Sequence, residues 1–193
     1  MKNKIILDLC GGTGSWSQPY KDAGYDVHVI TLPDFDVLNY KPPQNVYGVL
    51  AAPPCTKFSK ADTSKTRAQK DFTEGMETVN ACMQIIWKLQ QKGAPLEFWA
   101  LENPQGYLSR FLGRSVFRFQ HWEFGEENLA LATKRTEIWG YFNNPTKTVN
   151  CRNIPKVQRH TLGGGNIHWA KITPEERAKT CKGFAKAFYL KNK

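Results

Sequence analysis

Short apolar segments that stop abruptly at glycine or proline recur through the first hundred residues. Ile5–Leu9 ends at a glycine-rich turn, and Val46–Ala51 ends at a pair of prolines. Segments of five or six apolar residues bounded by such breakers are typical of buried strands. Residues 27–32 and 98–101 have the same character, so the sequence predicts four buried strands in this part of the chain.

Helical patterning separates these strands. Phe72–Gln91 carries apolar residues on one helical stripe, and shorter helices are predicted at residues 15–23 and 174–190. Strands that alternate with helices favour right-handed crossovers and parallel pairing. The predicted fold class is therefore α/β, with a doubly wound, mostly parallel, Rossmann-like sheet.

The length and composition favour one globular domain over residues 1–193. The chain has 193 residues, of which 40% are hydrophobic, and no apolar run is long enough to cross a bilayer. Its five cysteines are scattered without any C-x-x-C pair, a pattern that favours neither a disulfide framework nor a zinc site. We therefore expect a cytoplasmic protein with no membrane partner and no metal.

Positive charge is concentrated at the carboxyl-terminal end. Residues 141–193 contain 11 Lys and Arg against 2 Asp and Glu, whereas residues 1–140 contain 16 and 15. Such an asymmetry favours a polyanionic partner, DNA in particular, over a merely solvated basic surface. Within this end, residues 143–172 are predicted to form an irregular basic connection.

Three predicted strand ends carry unusual residues. A glycine turn follows the first strand, Cys55 follows the paired prolines after the third, and Glu102 closes the fourth. Ligands of doubly wound sheets bind beyond the carboxyl ends of the strands. These three segments therefore predict one site.

Cys55 and Glu102 are the candidate reactive groups of this site. Lys57 and Lys60 follow the thiol closely, and nearby cations lower a thiol pKa, so they are expected to favour the Cys55 thiolate. Glu102 ends an apolar run, where desolvation raises a carboxyl pKa and lets the group hold a proton at neutral pH. A thiol and a carboxyl on neighbouring strand ends indicate a reactive site more specifically than either group does alone.

These motifs resemble the DNA cytosine-5 methyltransferase family. The matching segments are Asp-Leu-x-Gly-Gly-Thr-Gly at residues 8–14, Pro-Pro-Cys-x-x-Phe-Ser at residues 53–59 and Glu-Asn-Pro at residues 102–104. Residues 134–140 resemble the arginine-bearing strand of the family, and residues 183–185 lie where its last motif returns to the cofactor pocket. The chain is most similar to short, phage-type members that lack a full target-recognition domain.

The resemblance implies a function and a set of site residues. It implies methyl transfer from S-adenosylmethionine to carbon 5 of cytosine in DNA, with Cys55 as nucleophile, Glu102 as partner of ring nitrogen 3 and Arg135 as a contact for a substrate oxygen. The residues implied for cofactor contact are Asp8, Cys10, Gly11, Gly12, Gly14, Thr31 and Pro53.

Several departures from the family pattern leave alternatives open. Thr31 stands where the family has an acidic residue, and Glu137 stands where it has a second arginine. About thirty residues replace the recognition domain, too few for an independent core. The alternatives are the same chemistry on a free cytosine nucleotide and a catalytically inactive DNA-binding homologue. The sequence predicts neither the target sequence nor the oligomeric state.

Overall fold

A computed structural model describes residues 4–60, 67–91, 96–149 and 172–193. No helix in these ranges is long and apolar enough to cross a membrane. The described residues form one sheet of six strands. The strands are Ile5–Leu9 (β1), Asp26–Ile30 (β2), Val46–Ala51 (β3), Phe98–Pro104 (β4), Phe117–Gln120 (β5) and Arg135–Tyr141 (β6).

The strand order across the sheet is β2-β1-β3-β4-β6-β5. The first four strands in this order pair in parallel, β6 pairs antiparallel with β4, and β5 pairs antiparallel with β6. Because β2 and β3 lie on opposite sides of β1, the strand order reverses between β1 and β3. The predicted α/β fold with a doubly wound, mostly parallel, Rossmann-like sheet is confirmed.

Helices cover both faces of this sheet. The α-helices are Gln18–Asp22 (α1), Phe72–Gln91 (α2), Ser109–Leu112 (α3), Leu129–Ala132 (α4), Pro174–Ala178 (α5) and Lys182–Lys191 (α6). In the described parts of the chain, two 3-10 turns, Arg67–Gln69 and His121–Phe124, lie between these helices.

The core has two apolar layers because successive strand residues point to opposite faces. Leu7 belongs to the layer under α2, together with Val79 and Ile86 of that helix. Its neighbour Ile6 belongs to the layer under α1 and α6, together with Phe184. Each of these side chains is fully buried and stabilises the fold by about 1.5–3 kcal/mol. These two layers hold the sheet in place beneath the loops at its carboxyl edge.

Two helices differ from their predicted bounds for local reasons. The predicted helix over 15–23 forms only as α1, which begins at Gln18, so Pro19 falls in the first turn, where its missing N–H is tolerated. The predicted helix over 174–190 is divided into α5 and α6. At the break, the backbone N–H of Thr180 bonds to Oγ of Ser15 at 2.9 Å instead of to a helical carbonyl.

Two further differences concern the strands and the basic connection. The fourth strand does not stop at residue 101 but continues to Pro104, because it pairs antiparallel with β6 as far as Thr136. Residues 143–149 form neither helix nor strand. Residues 150–171 lie outside the described residues, so a basic connection in place of a recognition domain stays a prediction.

Candidate active site

The carboxyl ends of β1, β3 and β4 bring the three sequence motifs to one edge of the sheet. In the parallel ladder, Leu9 pairs with Ala51, and Ala51 pairs with Leu101. The glycine turn, the loop that contains Pro53 and the acidic end of β4 therefore start from three adjacent positions. This edge includes the reversal of strand order between β1 and β3, where open α/β sheets bind ligands.

Asp8 lies under the glycine turn and is fully buried. The Ser17 hydroxyl donates a hydrogen bond of 2.6 Å to Oδ2 of Asp8. Burial raises the pKa of Asp8 to about 6, and the hydrogen bond from Ser17 opposes this effect. A Cβ atom at Gly11 would come within 2.4 Å of Cγ of Asp8, so only glycine leaves room for the carboxyl group. No sequence motif pointed to Ser17, which lies nine residues after Asp8 and directly before α1.

The main chain of the same turn borders open space at Gly12. Cys10, Gly12 and Gly14 have φ angles of 57°, 55° and 69°, so the backbone is left-handed at three positions. Among the described residues, no atom beyond Gly12 and its two chain neighbours lies within 4 Å of the place where a Cβ of Gly12 would stand. The turn can therefore accept a ligand against its main chain.

The two remaining residues predicted for cofactor contact flank this turn. Thr31 follows β2 and is half-buried, and its carbonyl oxygen accepts a hydrogen bond of 2.9 Å from the Phe35 N–H. Pro53 follows β3 and is buried. All seven residues predicted for the cofactor thus lie at or shortly after the carboxyl ends of β1, β2 and β3, and their contact with a cofactor stays a prediction.

Asn103 joins the loop after β3 to the end of β4. Its side chain is fully buried, and Nδ2 donates a hydrogen bond of 3.0 Å to the carbonyl oxygen of Pro53. Further along, the Tyr107 N–H bonds to the carbonyl of Phe58 at 2.8 Å, and Phe58 is itself fully buried. The Pro-Pro-Cys loop is therefore fixed to the segment that carries Glu102.

Cys55 and Glu102 are close enough to affect each other electrostatically. Burial raises the pKa of the Cys55 thiol, and the negative charge of Glu102 raises it further. Burial also raises the pKa of Glu102, whose side chain is only 14% exposed. A thiol and a carboxyl thus share one partly desolvated region, as the sequence predicted, and the raised carboxyl pKa has the expected cause.

Lys134 is the residue of this region that the sequence reasoning missed. Its ammonium lies 3.9 Å from Oε1 of Glu102 and donates a hydrogen bond of 3.0 Å to the carbonyl of Arg177 in α5. Its charge lowers the pKa values of both Cys55 and Glu102. The approach depends on the antiparallel pairing of β6 with β4, which the sequence did not predict.

The predicted activation of Cys55 by Lys57 and Lys60 is wrong. Lys57 forms an ion pair with Glu74, and Lys60 lies over the ring of Tyr107 at 5.3 Å from its centre. Among the described residues, the cations that lower the pKa of the thiol come instead from distant parts of the chain, Lys134 and Arg177. Proximity in sequence was a poor guide because the loop directs its lysines towards other partners.

Arg135 begins β6 at the same edge of the sheet and is exposed. Its Nη1 lies 3.4 Å from Oε1 of Gln105, and its carbonyl accepts a hydrogen bond of 2.9 Å from the Gln105 N–H. Gln105 directly follows Pro104, the last residue of β4. The guanidinium is therefore available beside the acidic strand end, and its contact with a substrate stays a prediction. Within the described ranges, no group of three or more His, Cys, Asp or Glu side chains is arranged to hold a metal ion.

Comparison with known proteins shows no family for this chain. No protein-family model and no curated protein matches the chain. Among solved structures, a methyltransferase of Entamoeba histolytica is similar to it, with a TM-score of 0.41 and 10% sequence identity. The match covers 77% of this chain and 58% of that one, so the chain spans less than two thirds of that structure's length. The functional conclusion therefore rests on the geometry of the site.

Proposed function

We propose that this chain is an S-adenosylmethionine-dependent methyltransferase that acts on carbon 5 of cytosine in DNA through a covalent adduct at Cys55. One observation carries the proposal. Cys55 follows β3, Glu102 lies near the carboxyl end of the adjacent parallel strand β4, the two share a partly desolvated region, and the Asn103–Pro53 hydrogen bond links the segments that carry them. This is the pair of groups that activation of a cytosine ring requires.

The proposed chemistry starts at the thiol. Carbon 5 of cytosine is too electron-poor to attack a methyl donor directly. Addition of the Cys55 thiolate forms a bond from sulfur to ring carbon 6 and moves the electron pair of the ring double bond to carbon 5. Glu102 donates its proton to ring nitrogen 3, which neutralises the charge that develops on the ring. After carbon 5 has gained the methyl group, it loses its proton to solvent, ring nitrogen 3 returns its proton to Glu102, and departure of the thiolate restores the aromatic ring.

The methyl donor fits the residues around the glycine turn. Open space beside Gly12 and the unpartnered Oδ1 of Asp8, which has no hydrogen bond within the described residues, favour a polar ligand here. When bound, S-adenosylmethionine supplies an electrophilic methyl group on a sulfonium. The residues proposed to hold it are Asp8, Cys10, Gly11, Gly12, Gly14, Thr31 and Pro53.

DNA is the proposed substrate because the excess of positive charge lies in residues 141–193. A cytosine within a duplex has to leave the base stack before it can reach a thiol that is itself half-buried. Arg135, exposed beside Gln105, is proposed to contact the carbonyl oxygen of the extruded base. Few residues remain to read base edges, so short or relaxed sequence selectivity is expected.

Transfer of a labelled methyl group tests the proposal. The assay offers the protein S-adenosylmethionine with mixed-sequence duplex DNA and, in a parallel arm, with a cytosine mononucleotide. Incorporation into DNA that disappears in Cys55→Ser and persists in Cys181→Ala supports the proposal. Cys181 is a suitable control because it is a buried thiol at the start of α6. Cys55→Ser that methylates as well as the unaltered protein contradicts it.

A cytosine nucleotide is the second candidate substrate. Only residues 142–173 connect β6 to α5, which is too short a segment for a separate recognition domain. Incorporation into the mononucleotide alone would favour this candidate. No incorporation in either arm, with no heat of S-adenosylmethionine binding in calorimetry, would favour an inactive DNA-binding homologue.

A further inference from the structure

Lys134 occupies an unusual position between the reactive groups and the carboxyl-terminal helices. Its ammonium lies 3.9 Å from Oε1 of Glu102 and is hydrogen-bonded at 3.0 Å to the carbonyl of Arg177. The side chains of Lys134 and Glu102 are only 11% and 14% exposed. A pair this sheltered is weakly screened by solvent, in contrast to the exposed pairs of a protein surface.

We propose that Lys134 is a positioning residue that holds the Glu102 carboxylate and supplies the positive charge against which the Cys55 thiolate forms. This inference rests on the proposed function for its catalytic meaning. It goes beyond that function because it assigns the activation of the thiol to a cation that directly precedes β6, more than seventy residues away in sequence.

Transfer of one proton from Cys55 to Glu102 leaves the net charge of Cys55, Glu102 and Lys134 unchanged. With a protonated thiol and an ionised carboxyl, Lys134 faces one negative charge on Glu102. When the thiol proton moves to the carboxylate, the S–H bond breaks, an O–H bond forms, and the single negative charge moves to Cys55. Lys134 faces one negative charge in both states, so the transfer creates no uncompensated charge in the desolvated region. Glu102 then carries the proton that ring nitrogen 3 requires.

Two other charged or titratable groups near this cluster, Arg177 and His121, leave Lys134 as the main cation that compensates the negative charge. Arg177 of α5 also favours the thiolate, and its carbonyl holds the ammonium in place. His121 is buried, with Nε2 3.2 Å from Oγ1 of Thr136. Burial and the charge of Lys134 lower the pKa of His121 to about 3, so the ring is neutral at physiological pH.

The test measures the reactivity of the thiol without any substrate. Iodoacetamide alkylates thiolates, and peptide mass spectrometry reports the rate at Cys55 separately from the other cysteines across a range of pH. In Lys134→Met, we expect the pH of half-maximal rate to rise by about one unit and the rate at neutral pH to fall about tenfold. Lys134→Arg keeps the charge and should restore most of the rate.

Two further variants separate charge from packing. Lys134→Gln retains a donor for the Arg177 carbonyl but carries no charge, so it should behave as Lys134→Met does. Lys57→Met removes a lysine that is close to Cys55 in sequence but paired with Glu74, and it should leave the alkylation profile unchanged. Circular dichroism checks that each variant is folded.

The outcomes distinguish this inference from the proposed function. A Lys134→Gln profile that superimposes on that of the unaltered protein, or an equal shift in Lys57→Met, overturns the assignment of Lys134. An expected shift in alkylation supports it. Absence of methyl transfer to DNA or nucleotide, with the shift intact, overturns the proposed reaction but not the assignment of Lys134 as the cation of the thiol.

Discussion

The side-chain amide of Asn103 donates a hydrogen bond of 3.0 Å to the main-chain carbonyl of Pro53. It joins the end of one strand to the loop after its parallel neighbour, and it is fully shielded from solvent. Because Cys55 and Glu102 each lie within two residues of this bond, it holds together the two main-chain segments that carry the thiol and the carboxyl. Preorganisation of this kind is what covalent catalysis requires.

Removal of this bond should therefore damage stability and the site together. Asn103→Ala leaves the buried carbonyl of Pro53 without its donor, and we expect a loss of about 1–3 kcal/mol in the free energy of unfolding. Urea unfolding measures the loss, and alkylation kinetics should report altered reactivity of Cys55. Asn39→Ala is the control, since Asn39 is exposed and lies 3.5 Å from its partner Asp36. Equal effects of the two variants would contradict the role given to Asn103.

Substitution of Gly11 tests whether the glycine turn binds the cofactor. An alanine at this position would place Cβ 2.4 Å from Cγ of Asp8, so the turn or the buried carboxyl group must move. We expect Gly11→Ala to abolish the heat of S-adenosylmethionine binding in calorimetry. Gly24→Ala is a matched control because Gly24 is also at a turn, with a φ of 84°, and its added Cβ would have no described atom within 4 Å beyond its chain neighbours. It should lower stability by about 1 kcal/mol and leave binding intact. Normal binding by Gly11→Ala would place the cofactor elsewhere.

The buried carboxyl of Asp8 predicts a specific dependence of stability on pH. Its folded pKa of about 6 lies above the ordinary value of 3.8, so between these values the folded state binds more protons than the unfolded state. The free energy of unfolding should therefore fall as pH rises from about 4 to about 6, by up to about 3 kcal/mol from this group. Asp8→Asn should lose this part of the slope. Parallel pH profiles for the two proteins would contradict the assignment.

Gly183 tests how the carboxyl-terminal helix packs. A Cβ at this position would lie 1.8 Å from the carbonyl oxygen of Phe124, so α6 approaches the 3-10 turn as closely as its backbone allows. The next residue, Phe184, stacks on Phe119 with ring centres 4.1 Å apart. Gly183→Ala should cost about 1–3 kcal/mol in unfolding free energy. Lys186→Ala, at an exposed position of the same helix, should change it by less than about 0.5 kcal/mol.

The sequence was sufficient to predict the parallel half of the sheet. Ile5–Leu9, Val46–Ala51 and Phe72–Gln91 begin and end where their apolar patterns and breakers predicted. Such segments are specified locally, by side-chain periodicity and by glycine or proline at their ends. The same patterns were enough to predict that Cys55 and Glu102 lie at one edge of the sheet, because the carboxyl ends of parallel strands meet at the same edge.

The antiparallel half was not predictable in the same way. The short strand Phe117–Gln120 gave no periodic signal, and the continuation of β4 to Pro104 depends on its pairing with β6. The approach of Lys134 to Glu102 follows from that pairing. Lys57 and Lys60, which are neighbours of Cys55 in sequence, are directed instead to Glu74 and Tyr107. Local patterns specify elements, whereas the charges that act on a buried thiol are set by tertiary contacts.

Covalent trapping tests the central claim most directly. A long duplex in which every cytosine carries fluorine at carbon 5 removes the need to know the target sequence, and the fluorine prevents the proton loss that would release the thiol. With S-adenosylmethionine present, the account predicts a denaturant-stable protein–DNA adduct mapped by mass spectrometry to Cys55. The adduct should be absent in Cys55→Ser and should form about a hundredfold more slowly in Glu102→Gln. No adduct with the unaltered protein, or an adduct that persists in Cys55→Ser, would contradict the account.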